Sequence, residues 1–318
     1  MGEPRRGEGG GRRWRAVAAG VVVLALAGYL VVQYVSTQFG PPRCVVRAQG
    51  DGERYELEPE MARNAAAIGA VGSARGLPER AVTIALATAM QESSLRNIDH
   101  GDRDSLGLFQ QRPSQGWGTP EQIMDPVYAA GKFYEGLVEV PGYTDLPLTV
   151  AAQEVQRSGF PDAYAKHEPQ AALLTAALTG REAASLTCTG LGTPPAGDPE
   201  RVRAKLRHEF GADLLAGAEV SGGRSAPGDG DLVIPVPGGG SSPAEGDAAS
   251  GRAPDPERRG WELAHWSLAN ASELGIARIA YGGRVWESER SGDGWRTARG
   301  TAADEGVRLT LVREPAAS

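Results

Sequence analysis

The sequence has no excess of positive charge, little cysteine and few histidines, and each shortage argues against a class of function. Lysine and arginine number 33 against 40 aspartates and glutamates, a formal charge of -7. No basic stripe is then available to neutralise phosphates, which argues against a dedicated nucleic-acid binder. The four histidines, His100, His167, His208 and His265, never fall at metal-ligand spacing and have no cysteine beside them. That argues against a metal site, and nothing in the chain calls for a cofactor. Long apolar runs are lacking with one exception, and a single span cannot enclose a transport pathway.

The exception is Ala16 to Val35, a run without charge that follows Arg5, Arg6, Arg12, Arg13 and Arg15. At about 1.5 Å per residue it reaches roughly 30 Å, the thickness of a bilayer's hydrocarbon core, so the sequence predicts a single transmembrane helix. It continues through Tyr29, Leu30, Val31, Val32 and Tyr34 instead of ending at a small-residue cleavage site, which favours an uncleaved anchor. Residues 1–15 are then a basic tail held in the cytoplasm, and everything after Ser36 is extracytoplasmic. The two cysteines, Cys44 and Cys188, suit that oxidising side. A bond between them would tie both ends of one domain, worth on the order of 5 kcal/mol before strain. Two unrelated thiols are the alternative.

Glycine and proline crowd into the extreme N-terminus and residues 221–260. Between them the helix signals are dense. Pro59 opens one run, Pro78-Glu79-Arg80 starts another that is apolar from Ala81 to Met90, and Thr119-Pro120 and Asp125-Pro126 are cap-plus-first-turn pairs. Leu148 to Val155 and Pro169 to Leu178 read as helices as well. No alternating strand pattern of convincing length occurs between Pro59 and Leu186, so residues 44–190 are expected to form an all-α domain. Asp198-Pro199-Glu200 caps a charged helix within an extension over 191–220. Residues 221–259 read as a flexible tether. The remainder, 260–318, is expected to be a small α+β module, with a helix from Trp261 to Leu274 and strands at Ile276–Tyr281, Arg284–Ser288 and Val307–Val312.

The chemistry concentrates in "MQESSLRNIDHGDRDSLGLFQQRPSQGWG", residues 90–118. Glu92 ends the uncharged helix and faces a polar loop. A carboxyl at the edge of an apolar helix is placed as a general acid requires, sheltered yet able to reach a ligand. Glycoside cleavage normally uses two carboxylates, and Asp99, Asp102 and Asp104 are candidates for the second, none fixed by its surroundings. A single glutamate suffices when the substrate's N-acetyl oxygen stabilises the cationic centre and an internal hydroxyl attacks. Glycine in Gly107-Leu108-Phe109-Gln110-Gln111 allows close backbone approach, glutamine amides can bond sugar hydroxyls and acetamido groups, and Trp117 can stack on a pyranose face.

Glu92-Ser93, then Gly107-Leu108-Phe109-Gln110, then the helix "DPVYAAGKFYEGL" from Asp125, then "LTVAAQEVQRSGFPDAYA" from Leu148 resemble, in order and spacing, the lytic transglycosylases and goose-type lysozymes. The resemblance covers roughly residues 58 to 170. It implies a lysozyme-like helical fold that cleaves the MurNAc-GlcNAc bond of peptidoglycan with one glutamate and releases a 1,6-anhydro sugar. By that match Glu92 is the acid/base, Ser93 orients substrate, and Gln110 lines the glycan cleft. The family's Tyr-Asn pair is absent; Gln153 and Gln156 stand in its place, with Tyr164 further on, and Gln153 is the stand-in expected for the asparagine amide. The C-terminal stretch "GWELAHWSLANASELGIARIAYGGRVWES" resembles a small domain appended to some secreted actinobacterial cell-wall proteins, without the later His-x-His of versions with metal chemistry. It is read as non-catalytic, holding wall polymer or a cell-envelope partner. The competing expectations are thus a membrane-anchored glycan-cleaving enzyme, as a lyase or a hydrolysing lysozyme, and a peptidoglycan-binding scaffold without turnover.

Overall fold

The computed structural model describes residues 10–38, 41–48, 50, 52–157, 161–192, 194–212, 231–236, 255–298 and 306–313. The chain divides into two compact units, Met1–Pro41 and Pro42–Ser318. The first holds one helix, α1 (Gly10–Gln38), whose described apolar side chains, Val17, Leu24 and Leu30 among them, are all exposed. Among the described residues no helix is long and apolar enough to cross a membrane. Side chains are described without a break only from Val17 to Val31, roughly 22 Å of helix at about 1.5 Å per residue. The ends of the expected span, Ala16 and Val32 to Val35, lie outside them.

The second unit is mainly helical with two small sheets. It begins with a hairpin of β1 (Arg43–Arg47) and β2 (Arg54–Leu57), followed by α2 (Pro59–Ala74) and α3 (Glu79–Ser93). Then come α4 (Pro120–Ile123), α5 (Pro126–Val138), α6 (Leu148–Gln156), a 3-10 turn at Pro161–His167 and α7 (Glu168–Leu178). The proline openings are explained by geometry, since the first helical N–H has no partner to lose. Thr119 and Asp125 cap α4 and α5 through their side chains, as the sequence suggests. Every residue of α3 from Ala81 to Met90 is buried, the packing that an uncharged three-turn run demands. Its threonines satisfy themselves internally, Thr83 Oγ1 donating to Glu79 O at 3.0 Å and Thr88 Oγ1 to Ile84 O at 2.7 Å.

The expectation of a purely helical domain needs correcting at its edge. β3 (Leu186–Thr189) returns to pair with β1 in a sheet of order β2-β1-β3, and Cys44 sits opposite Cys188 in that ladder. The two are joined by a disulfide. These strands are too short for an alternating pattern to stand out.

After β3 come α8 (Pro199–Phe210), β4 (Asp231–Pro235), α9 (Pro256–Ala269), α10 (Ala271–Leu274), β5 (Ile276–Tyr281), β6 (Arg284–Glu287), β7 (Arg296–Thr297) and β8 (Gly306–Leu311). The last five strands form an antiparallel sheet of order β4-β8-β5-β6-β7. The helix expected from Trp261 to Leu274 is interrupted at Asn270. The tether expected over 221–259 is also revised: β4 lies within it and pairs with β8 from Asp231↔Thr310 to Pro235↔Gly306. Residues 221–230 and 237–254 lie outside the described residues.

The module is part of the same compact unit as the helical domain, because α9 has two buried faces. All of Gly260 to Ala269 is buried, with α2 and α7 of the helical body and strands β3, β5 and β8 all packed against α9. Arg259 Nη1 donates to Ser73 Oγ at 2.9 Å and to Glu262 Oε2 at 2.6 Å. Arg258 and Arg181 both hold Glu79. Trp266 Nε1 donates to Glu209 Oε2 at 2.6 Å, and Trp295 Nε1 to Leu186 O at 2.8 Å. Gly180, at φ +68, lies so close to α9 that a Cβ there would run into the Arg258 carbonyl.

His265 is fully buried in contact with the rings of Trp261 and Trp295, and its Nδ1 lies 2.7 Å from Ala177 O. A carbonyl only accepts, so Nδ1 carries the hydrogen, while Nε2 is buried without a partner. Burial therefore holds the imidazole's pKa down to about 4, against the Ala177 carbonyl, which favours the cation. Unfolded, the same ring takes a proton near the ordinary value of about 6.5. The stability carried by neutral His265 is complete above roughly pH 6.5 and is lost as the pH falls toward 4, by about 3 kcal/mol in all. Urea titrations at pH 7 and pH 4.5 are expected to show this loss in the wild type and a smaller one in His265→Gln; equal losses would remove His265 as the cause.

Candidate active site

The site is built where α3 stops. Ser94 and Leu95 both take the left-handed conformation, at φ 55 and 60, and their N–H groups return to Met90 O and Ala89 O, each at 3.1 Å. Leu95 is fully buried and its carbonyl receives Asn64 Nδ2 at 2.7 Å, so the chain turns sharply just past Glu92 and is pinned there. Left-handed backbone at non-glycine residues costs energy and persists only where surrounding contacts impose it.

The loop that follows is a closed structure. Leu106 and Gln111 exchange backbone hydrogen bonds at 2.9 and 3.0 Å, and Gly107 N donates to Ile98 O at 2.7 Å. Gly107 sits at φ +73, where a Cβ would lie 2.7 Å from Ile123 O, so the backbone conformation and the space both require glycine. Leu108 and Phe109 are fully buried, Phe109 stacked on Phe133 with ring centroids 4.8 Å apart. The Gly-Leu-Phe segment is therefore an anchor driven into the core, and Gln110 emerges half-buried at φ 49.

Glu92 is half-buried. Its Oε1 accepts the hydroxyl of Tyr164 at 2.7 Å, and Tyr164, in the turn Pro161–His167, is fully buried. Beside it, Gln91 Oε1 faces His167 Nε2 at 3.2 Å, so that ring nitrogen carries a hydrogen. Burial, with the charge of Lys166, lowers the pKa of His167. Two successive residues at the end of α3 are thus bonded to one turn, which fixes the direction of the carboxylate.

Of the residues expected to touch substrate, the structure brings Glu92 and Tyr164 together directly. Ser93 and Gln111 turn toward the protein. Ser93 is buried, its Oγ 2.8 Å from Leu108 O and 3.1 Å from Ala89 O, and Gln111 is 2% exposed with Nε2 on Ala129 O at 3.0 Å. Both bond the protein's own backbone and hold the loop to α3 and α5. Gln110 Nε2 lies 3.2 Å from Gly107 O and 3.4 Å from His100 O. Trp117 is half-buried against the core, its carbonyl accepting Tyr128 OH at 3.2 Å, and Gln153 is half-buried on α6. Gln156, His167 and Asn97 were not singled out as site residues; Gln156 Nε2 donates to Phe109 O at 2.8 Å and Asn97 Nδ2 to Met124 O at 2.7 Å.

The three aspartates do not converge on Glu92. Asp99 is exposed and bonded to His100 at 3.0 Å, which lowers its pKa. Asp104 accepts Ser114 N at 2.8 Å and Arg112 Nε at 3.0 Å, and these donors, Ser114 first, hold it well below the usual carboxylate range. It is an ionised clamp on the loop and has no proton to move near neutral pH. Asp102 is exposed. Among the described residues no group of three histidine, cysteine or acidic side chains could hold a metal. A surface pocket of about 440 Å³ between Ala196–Pro199 and Leu311–Arg313 contains none of these residues.

The family model described as VldE, C-terminal domain, matches residues 237–306. That similarity spans the segment from the end of β4 to the start of β8, well under half of the chain, and includes no residue of the Glu92 site. No curated protein matches.

Replacing Gly107 by alanine combines an unfavourable φ with a clash against backbone, so Gly107→Ala is expected to cost about 2 kcal/mol or more. Urea denaturation of the variant checks this, and a change below about 0.5 kcal/mol would mean the loop is not seated as described.

Proposed function

We propose that the extracytoplasmic domain cleaves peptidoglycan glycan strands at the MurNAc-GlcNAc linkage as a lytic transglycosylase, with Glu92 as general acid and then general base. The observation that carries this reading is the 2.7 Å bond from buried Tyr164 to one oxygen of Glu92, at the end of a fully buried helix. Tyr164 occupies Oε1, leaving Oε2 to hold the mobile proton. In the first step that proton passes to the glycosidic oxygen as its bond to C1 breaks, and the neighbouring N-acetyl oxygen shields C1. In the second, the Glu92 carboxylate takes the proton of the sugar's own C6 hydroxyl, whose oxygen closes on C1. Glu92 is regenerated and no water is consumed. The lack of a second carboxylate bonded near Glu92 among the described residues favours this route over hydrolysis by a carboxylate pair.

The lysozyme-like character of the helical body belongs to the same proposal, as does the location. The charge-free run from Ala16 to Val35 behind five arginines would anchor the chain in the cytoplasmic membrane. The exposed apolar side chains of α1 would be costly in water and favourable in lipid.

A second reading, a peptidoglycan-binding scaffold without turnover, draws on one observation. Ser93 and Gln111 face inward and bond the protein's own backbone, which leaves fewer polar side chains to bond a glycan.

Digestion of purified peptidoglycan followed by mass spectrometry separates the two. Release of sugars one water lighter than hydrolysis products is expected, reduced by about 10²- to 10⁴-fold in Glu92→Gln. Co-sedimentation with insoluble wall is expected to survive that substitution. Binding without release at any pH tried would establish the scaffold reading instead, and equal release by wild type and Glu92→Gln would remove Glu92 from the chemistry.

A further inference from the structure

Three hydrogen bonds between segments distant in sequence form a circuit that closes on Glu92. Tyr164 OH reaches Glu92 Oε1 at 2.7 Å, Ser93 Oγ reaches Leu108 O at 2.8 Å, and Gln156 Nε2 reaches Phe109 O at 2.8 Å. The circuit closes because α6, which ends in Gln156, packs against both α3 and the turn that carries Tyr164. The anchor loop is therefore gripped at consecutive carbonyls, Leu108 from α3 and Phe109 from α6.

The grip on Phe109 has a specific consequence. Its carbonyl belongs to the peptide plane that enters Gln110, the residue held at φ 49. A left-handed conformation at a residue with a Cβ relaxes unless the planes beside it are fixed. Gln156 Oε1 is buried without a partner, so the amide has no competing bond that would turn Nε2 away. We propose that Gln156 is a positioning residue: by holding the Phe109 carbonyl it keeps Gln110 left-handed and the Gly107–Gln111 loop in one arrangement beside Glu92. Its effect on turnover rests on the proposed glycan cleavage; its effect on the loop does not.

Two substitutions in the full chain test this. Gln156→Met keeps the length of the stem and removes the donor. Hydrogen exchange at the Gln110 and Gln111 amides is expected to quicken roughly tenfold, and release of anhydro sugar to fall roughly five- to tenfold. Gln156→Glu adds a readout that general loosening would not move. An ionised carboxylate has no hydrogen for Phe109 O, whereas the protonated acid has one. The rate of Gln156→Glu relative to wild type is expected to climb severalfold from pH 7 to about pH 4.5, near the ordinary glutamate value, while that of Gln156→Met stays flat. Unchanged amide exchange in Gln156→Met together with a flat ratio for Gln156→Glu would overturn the proposal. If wild type releases no sugar, the glycan reading fails by itself, and amide protection alone decides the role of Gln156. If Gln156→Met does not fold, protection in Gln156→Glu at the two pH values decides it.

Discussion

A helix packed on every side can offer a charged group only at its ends. α3 is in that position, buried from Ala81 to Met90 beneath its neighbours, and Glu92 lies two residues past the last of those. Everything distinctive about the site follows from it. The chain must leave the helix at once, hence two left-handed residues in succession, and the polar groups of the exit need partners, supplied by Asn64, Tyr164 and His167. A carboxylate on an exposed helix would have many rotamers and water for company. Here its direction is set by a tyrosine that cannot move without opening the core.

The parts of the fold governed by local rules were legible in the sequence. Prolines after capping residues mark helix starts, and the strands Ile276–Tyr281 and Arg284–Glu287 stand out through the Gly282-Gly283 turn between them. The parts governed by distant partners were not. β1 and β3 are brief and lie far apart in the chain, so no window holds both, although the cysteines that face each other across them were a usable sign. β4 sits in a stretch dominated by glycine and proline, where composition speaks for a tether while "DLVIP" supplies an edge strand. Its proline ends the strand at the sheet edge, where a missing donor is tolerated.

The candidate site divides the same way. Glu92 stood out because a lone carboxylate after an uncharged run is unusual; the bond that Tyr164 makes to it joins segments far apart in the chain, which no short window shows. The inward turn of Ser93 and Gln111 is not visible in the sequence, because a hydroxyl or an amide looks the same there whether it meets a ligand or the protein's own carbonyl. Burial decides between the two, and burial here depends on Leu108 and Phe109 dragging the loop inward. The same pull turns Gln156 toward Phe109 and makes a helix-end glutamine part of the loop's support.

The C-terminal module shows why composition is a poor guide to independence. Separated by a breaker-rich stretch, it reads as an appended unit, yet the faces of α9 meet the sheet and the helical body at once. Apolar contact alone would allow several dockings, since one smooth face slides over another at little cost. Buried polar groups do not slide. Glu262 and Glu209 are both pushed up by burial, opposed by Arg259 in one case and Lys205 in the other. Those partners lie on each carboxylate's own helix, so the docking is tied by the bonds that cross between segments, Trp266 to Glu209 and Arg259 to Ser73. With Ser73, Ala177 and Leu186 also receiving donors from the module, the arrangement that satisfies all of these groups is narrowly defined. Such groups add little net stability compared with apolar replacements, and their effect is to select one docking among many. The module therefore braces α2 and α7, and α7 lies directly against α3. Loosening α9 would be felt first at α2 and α7, and through α7 at the helix that ends in Glu92.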